Sequence, residues 1–203
     1  MPFKYIVEHM EPELDEWSEL EYTNILTHVG PSNLILSHIP ASLATSLQTH
    51  PTLNPESGII ATTKAVQEMD GVEFGKVVLL DPAATEELRP EDAREFGWLL
   101  FGGILGDDPP QDRTRLLRAL GYTTRHLGPV QMTTDTAVLV AQHIIEDQIP
   151  LSELKFVDRP EIKLGKKESV ELPFRYLVDA GGEPRLPRGL RELLKRSNDV
   201  ALV

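Results

Sequence analysis

The sequence predicts an α/β protein built on a parallel sheet with helices on both faces. Val77-Val78-Leu79-Leu80 and Trp98-Leu99-Leu100-Phe101 are apolar throughout, each stops at a turn signal (Asp81-Pro82, Gly102-Gly103), and each is followed by a helical segment. A strand with one wet face alternates apolar and polar residues. A strand without alternation is buried on both faces, and strands of that kind alternating with helices lie parallel. In such sheets ligands bind beyond the carboxyl ends of the strands, which places any site at Asp81-Pro82, at 102–110 and at 128–134.

In order along the chain, 4–9 reads as a first strand centred on Tyr5, Ile6 and Val7. Pro12-Glu13 suits a helix start, because the fixed φ of proline fits a first turn and an acid faces the positive end of the dipole. That helix runs to about His28, before Gly30-Pro31, with Leu14, Trp17, Leu20 and Ile25 as an imperfect apolar stripe. Leu34-Ile35-Leu36 is a short buried strand and 42–47 a turn of helix. Pro51, Asn54, Pro55 and Gly58 make 50–58 a loop, expected to be the most mobile segment. A polar helix is expected over 85–96. Another is expected over 112–120, with Leu116, Leu117 and Leu120 on one side, Arg113, Arg115 and Arg118 around the other, and Gly121 at its C-cap. A further strand spans 122–127. In the long helix 133–148, Ala137, Ala141, Ile144 and Ile145 recur at i, i+4, i+7, i+8; Val138, Leu139 and Val140 widen that face, so the helix is covered on more than one side. After Asp158 the chain turns polar, with Pro160, Pro173, Pro184, Pro187 and basic residues over 185–195. The expected division is a domain over 1–160 and a C-terminal extension over 161–203 packed on it.

Composition narrows the function. The 203 residues carry 20 Lys+Arg against 32 Asp+Glu, a net charge of −12. Nucleic-acid binding depends on neutralising phosphates with Lys and Arg, so this balance disfavours a nucleic-acid partner and favours a basic one. No cysteine is present, which excludes disulfides, thiolate nucleophiles and cysteine-bound zinc. No stretch approaches the roughly 20 apolar residues of a membrane span, and the expected location is the cytoplasm. The six histidines show no ligand-like spacing, so no metal is expected.

The most unusual segment is Phe101-Gly102-Gly103-Ile104-Leu105-Gly106-Asp107-Asp108-Pro109-Pro110. Three glycines after a strand let the backbone approach a ligand; a plain strand-to-helix turn, with Asp108 as N-cap and Pro109 at the first position, is the competing reading. The pattern is G-G-x-x-G rather than G-x-G-x-x-G, and the next strand ends in Gly128-Pro129 without the acid that holds a ribose, so a nicotinamide dinucleotide is disfavoured. Neither a P-loop nor a G-x-S-x-G elbow occurs. In Gln131-Met132-Thr133-Thr134-Asp135-Thr136-Ala137, Thr133 or Thr134 suits an N-cap with Asp135 in the first turn.

These segments, with Tyr5-Ile6-Val7-Glu8-His9-Met10-Glu11, Leu79-Leu80-Asp81-Pro82, Arg125-His126-Leu127-Gly128 and Leu172-Pro173-Phe174-Arg175-Tyr176, resemble the SPOUT-class protein arginine methyltransferase family over nearly the whole chain. The resemblance implies a SPOUT-type parallel sheet flanked by helices, with a C-terminal trefoil knot, and 1–160 as the SPOUT methyltransferase domain. It implies S-adenosyl-L-methionine as cofactor, held by Leu80, Asp81 and Pro82, by Phe101, Gly102, Gly103 and Gly106, and by Leu127, Gly128, Met132, Thr133, Thr134 and Ala137. The implied substrate is an arginine of a basic ribosomal protein of the small subunit. A guanidinium stays protonated at cellular pH and is a poor nucleophile, so carboxylates must orient it and accept its proton; the candidates are Asp107, Glu8 and Glu171, in that order. A SPOUT RNA methyltransferase and a non-catalytic binding module are the alternatives. The first calls for a basic patch beside the loops, the second for loss of the loop glycines. A monomer is favoured over a homodimer, the polar tail capping the face through which many SPOUT enzymes pair.

Overall fold

The structure, a computed structural model, describes residues 2–9, 11–103, 114–165 and 168–201, with side chains to 197. Asp107, Gly106 and the expected cap Asp108-Pro109 lie outside the described residues.

Six parallel strands form the sheet: β1 (Lys4–Glu8), β2 (Leu34–Ser37), β3 (Ile60–Ala61), β4 (Val77–Leu80), β5 (Trp98–Gly102) and β6 (Thr123–Arg125), in the order β3-β2-β1-β5-β4-β6. The apolar runs at 77–80 and 98–101 are adjacent central strands, as their lack of alternation requires. Register sets Glu8 beside both Ser37 and Gly102, and Leu80 beside Phe101 and Arg125, so the carboxyl ends of five strands meet along one edge.

Helix α1 (Glu16–Val29) and helix α4 (Thr134–Ile145) cover one face of the sheet. The short α2 (Ala41–Ser46) adds Leu43 to that core, while α3 (Arg115–Ala119) brings Leu117 to the opposite face. Helix α1 starts at Glu16 rather than at Pro12-Glu13 because Asp15 takes the N-cap, its carboxylate accepting from the Ser18 amide at 2.7 Å. Its stripe is imperfect because it serves two partners. Tyr22, Ile25 and Val29 enter the sheet core, whereas Trp17 and Leu20 turn to the tail. Helix α4 is covered on more than one side as expected, with Val138, Leu139, Val140, Ala141, Ile144 and Ile145 all buried.

The helix expected over 85–96 does not form. His126 donates its amide to Glu86 and accepts from Leu88, in an extended bridge beside β6, and only a short 3-10 turn (Pro90–Arg94) follows. Pro90 lacks the N–H an α-helix needs there. Segment 50–58 is the expected loop, anchored to its surroundings: Leu53 is fully buried, Asn54 caps a 3-10 turn, and the Ser32 amide donates to the Gly58 carbonyl.

The tail forms two antiparallel pairs, β7 (Phe156–Asp158) with β10 (Arg175–Leu177) and β8 (Glu161–Lys163) with β9 (Ser169–Glu171), followed by α5 (Leu190–Ala201). Ile162, Leu164, Leu172, Phe174, Tyr176 and Leu190 bury one another against Trp17 and Leu20 of α1.

Candidate active site

Beyond the carboxyl ends of β4, β5 and β6 lies a cavity of about 660 Å³, within the roughly 300–1,000 Å³ usual for small-molecule sites. The turn after Phe101 and the segment after Leu127 are two of its walls. Leu80, Asp81, Pro82, Phe101, Gly102, Leu127, Gly128, Met132, Thr134 and Ala137, all expected from the sequence, line it. Thr133 does not, being turned into the protein.

Each wall has a local cause. Gly128 adopts φ 94°, a turn that a side chain would strain, and its amide donates to His126 Nδ1 at 3.1 Å. The following stretch is tied to the tail: the Arg175 amide donates to the Gln131 carbonyl at 2.9 Å, and the Arg175 guanidinium pairs with Asp158. The Leu172–Tyr176 motif is thus an anchor for this wall, its Leu, Phe and Tyr buried behind it.

Gly103 packs against the end of β1. Its amide donates to the Glu8 carbonyl at 2.7 Å, and a Cβ there would stand 2.3 Å from that oxygen and 3.0 Å from His9 Cα. The missing side chain admits the end of β1, and Gly103 is not in the cavity lining.

The carboxylates are distributed unexpectedly. Glu8 is buried, but strand alternation points it to the α3 face with Ile6. There it accepts from Ser37 Oγ at 2.7 Å and lies 3.2 Å from His38 Nδ1. Glu171 is half exposed on β9 and paired with Arg159. Neither lines the cavity. Among the described residues the carboxylate that does is Asp81, and Arg118 grips it side-on, with Nη2 2.8 Å from Oδ1 and Nε on Oδ2; Thr114 Oγ1 adds a bond of 2.8 Å and the Ala83 amide one of 3.0 Å. Burial opposes the charge on Asp81, but the bonds from Arg118, Ala83 and Thr114 outweigh it and its pKa is lowered. Arg118 is therefore not one of a scatter of surface arginines. The i, i+4 spacing of Thr114 and Arg118, which puts both on one helix face, was the available signal.

Sequence reasoning also missed a second acidic site. Glu21 of α1 and Asp135 of α4 are both buried where the two helices meet. Glu21 Oε1 accepts from Trp17 Nε1 at 2.6 Å and Oε2 from the Thr134 amide at 3.1 Å. Asp135 accepts from Asn24 Nδ2 at 2.8 Å and from Thr133 Oγ1 at 2.6 Å. Burial raises the pKa of both, and Asp135 adds to the rise at Glu21. The pattern of buried positions Ser18, Glu21, Tyr22, Ile25 and Val29 on α1 held the clue, a Glu on the inward face. Among the described residues, no group of three or more His, Cys, Asp or Glu is arranged to hold a metal ion.

Comparison with known proteins gives this site a context. Residues 4–201 match the family model described as protein arginine N-methyltransferase SFM1-like. The chain is 44% identical over 209 residues to protein arginine N-methyltransferase SFM1 of Saccharomyces cerevisiae, covering 98% of this chain and 97% of the relative. It superposes on the crystal structure of the yeast arginine methyltransferase SFM1 complexed with SAM at a TM-score of 0.88, with 44% identity over 97% of this chain and 92% of that one. On the complex with SAH the TM-score is 0.85, with 46% identity over 94% of this chain and 93% of that one. The resemblance carried by the glycine and threonine turns is borne out, and the chain belongs to the SFM1-like protein arginine N-methyltransferase family.

Proposed function

We propose that this chain, an S-adenosylmethionine-dependent protein arginine methyltransferase by family, methylates an arginine of a small-subunit ribosomal protein and holds its methyl donor in the cavity between β4, β5 and β6. The observation that carries the reading is the single cleft walled by Phe101-Gly102 on one side and Leu127, Gly128, Met132 and Thr134 on the other. The residues present suit such a ligand. Leu80, Leu127, Met132 and Ala137 offer apolar surface, and Thr134 Oγ1 is buried with no hydrogen-bond partner among the described residues, a group that a polar ligand would satisfy.

Bound there, S-adenosylmethionine supplies an electrophilic methyl group and leaves as S-adenosylhomocysteine. The protein must then hold the guanidinium and take up the proton released as the C–N bond forms. We assign that proton to Asp107. Asp107 follows the glycine turn in the sequence and ranks first among the acids that the family resemblance brings forward. Glu8 and Glu171 rank behind it, because each already holds partners of its own. Asp81 stays charged at the cavity edge through Arg118 and is not available as a base. The net charge of −12 favours a basic protein substrate.

The trefoil knot belongs to this proposal. In its favour is the path after β6, at the sheet's edge, where 127–132 turns back so that α4 lies over β5 and Gln131 meets Arg175 of the tail. We also take the chain to act as a cytoplasmic monomer whose 161–203 extension completes the domain. The tail core includes Trp17 and Leu20 of α1 and is not self-contained.

The test is to incubate the purified chain with methyl-labelled S-adenosylmethionine and ribosomal extract. The expected outcome is label in a small-subunit ribosomal protein, removed by protease and recovered as methylarginine. Label removed by RNase alone would overturn the reading in favour of an RNA methyltransferase.

A further inference from the structure

Helix α4 begins in an uncommon way. Thr133 occupies the N-cap with extended backbone, yet its side chain caps no amide. Its hydroxyl is turned instead to Asp135 Oδ1 at 2.6 Å and Thr136 Oγ1 at 2.8 Å. An exposed first-turn amide finds water, but a buried one needs a protein acceptor. For Thr134 that acceptor is Glu21 Oε2, on another helix and 113 residues away in the chain. Glu21 is itself held by the Trp17 indole at 2.6 Å. A second link, from Asn24 to Asp135, fixes the same turn from the same helix.

The turn so fixed is a wall of the cavity. Met132 and Thr134 line it, and Thr133 between them points inward. We propose that Glu21 is a positioning residue for the methyl-donor pocket: from α1 it holds the Thr134 amide and thereby sets the wall formed by Met132 and Thr134. This rests on the reading of the cavity as the donor site. Glu21 does not line the cavity and acts through the first-turn amides of α4, those of Thr134 and Asp135. Two acids buried together oppose each other's ionisation, so holding α1 on α4 is not what this arrangement does best; apolar residues would do that at lower cost. What a carboxylate at Glu21 adds is two acceptors aimed in different directions, one for Trp17 and one for Thr134. Besides each other, the titratable neighbours that feel the pair are Tyr22 on α1 and Tyr176 on β10, both kept protonated by burial.

The experiment measures binding of S-adenosylhomocysteine to the full chain by calorimetry, well below each variant's Tm. Glu21→Ala should weaken binding about tenfold, the effect of leaving a buried N–H without its acceptor. Glu21→Gln keeps an oxygen for the Thr134 amide but gives up the one that accepts from Trp17, and should recover affinity to within about threefold of wild type, the level of the Trp17 variant. Trp17→Phe keeps the ring but releases Glu21 Oε1, and should cost about threefold even if Glu21→Ala folds poorly. In steady-state assays the KM for the donor should rise while that for the protein substrate stays put. Ala137→Leu, which pushes a larger side chain into the cavity, tests the donor site separately. Unchanged affinity in Glu21→Ala and Trp17→Phe beside a collapse in Ala137→Leu would overturn the role of Glu21 and leave the cavity standing. Wild-type affinity in all three would overturn both. A Glu21→Gln as weak as Glu21→Ala would also count against it, since a retained acceptor then brings no rescue.

Discussion

Two buried carboxylate sites adjoin the cavity, one at the end of β4 and one behind the wall at Thr134, and are solved in opposite ways. Asp81 sits at the end of β4 with a guanidinium gripping it side-on, and its pKa is lowered. Among the described residues Glu21 and Asp135 meet neutral donors, Trp17, Asn24, Thr133 and backbone amides of the first turn of α4, and their pKa values are raised. Burial is common to both. The partner decides the charge: a cation compensates the lost hydration of a carboxylate, whereas neutral donors compensate only in part. One edge of the site thus keeps a fixed negative group paired to a fixed positive one. Behind the Thr134 wall, the first turn of α4 is held by groups that bind a proton more tightly than usual.

The comparison can be broken most severely at Arg118. Arg118→Met should cost about 3 kcal/mol of stability in urea unfolding, because the Asp81 charge is left buried without its cation. The sign of the pH effect follows from the lowered pKa. The pair's stabilisation is present above the unfolded-state value, about pH 4, and disappears as pH falls through the folded value. The variant should therefore differ from wild type at neutral pH and converge with it in acid. A constant difference down to the lowest pH would show that packing, not charge, is what Arg118 supplies.

A smaller and opposite effect is expected at Asp135. For a raised carboxyl pKa the stabilisation is full below the unfolded-state value and is lost as pH rises through the folded one. As pH rises above the unfolded-state value, about pH 4, wild type should lose stability relative to Asp135→Asn, which removes one of the two competing charges, by about 1–2 kcal/mol, the size usual for one core substitution. Parallel stability curves would mean that the acids do not share their burial as described. The smallest effect belongs to Glu171, whose half-exposed pair with Arg159 is the surface contrast to both buried sites. Glu171→Gln should change stability by less than about 0.5 kcal/mol and leave methyl transfer unchanged. A loss of turnover at unchanged stability would restore Glu171 as a catalytic candidate.

Much of this was legible in the residues. The central strands announced themselves by unbroken apolar runs, and the loops beyond them predicted a cleft at the strand ends that Phe101, Gly102, Leu127 and Thr134 do line. The start of α1 was placed early because Pro12 and Glu13 look like a helix entrance, while the decisive cap was Asp15. The helix over 85–96 was wrong for a related reason. Its polar composition satisfies helix propensity, but Glu86, Glu87 and Leu88 pair with His126, some forty positions on, and local pattern carries no record of that. Glu8 was a fair candidate by position and fails to line the cavity through strand alternation, which sends it to the other face of the sheet. Gly103 was rightly singled out as a residue that must lack a side chain, for a reason that only the nearness of β1 reveals.

By itself the sequence determined the class of sheet, the strand ends where a ligand would sit, and the family, since periodicity, turn chemistry and motif order are properties of neighbouring residues. Tertiary structure alone decided which acids are charged and what each one holds. Arg118 reaches Asp81 across 37 positions and Glu21 reaches Thr134 across 113. A carboxylate's ionisation depends on what lies within a few ångströms of it in space, and no spacing along the chain encodes that distance.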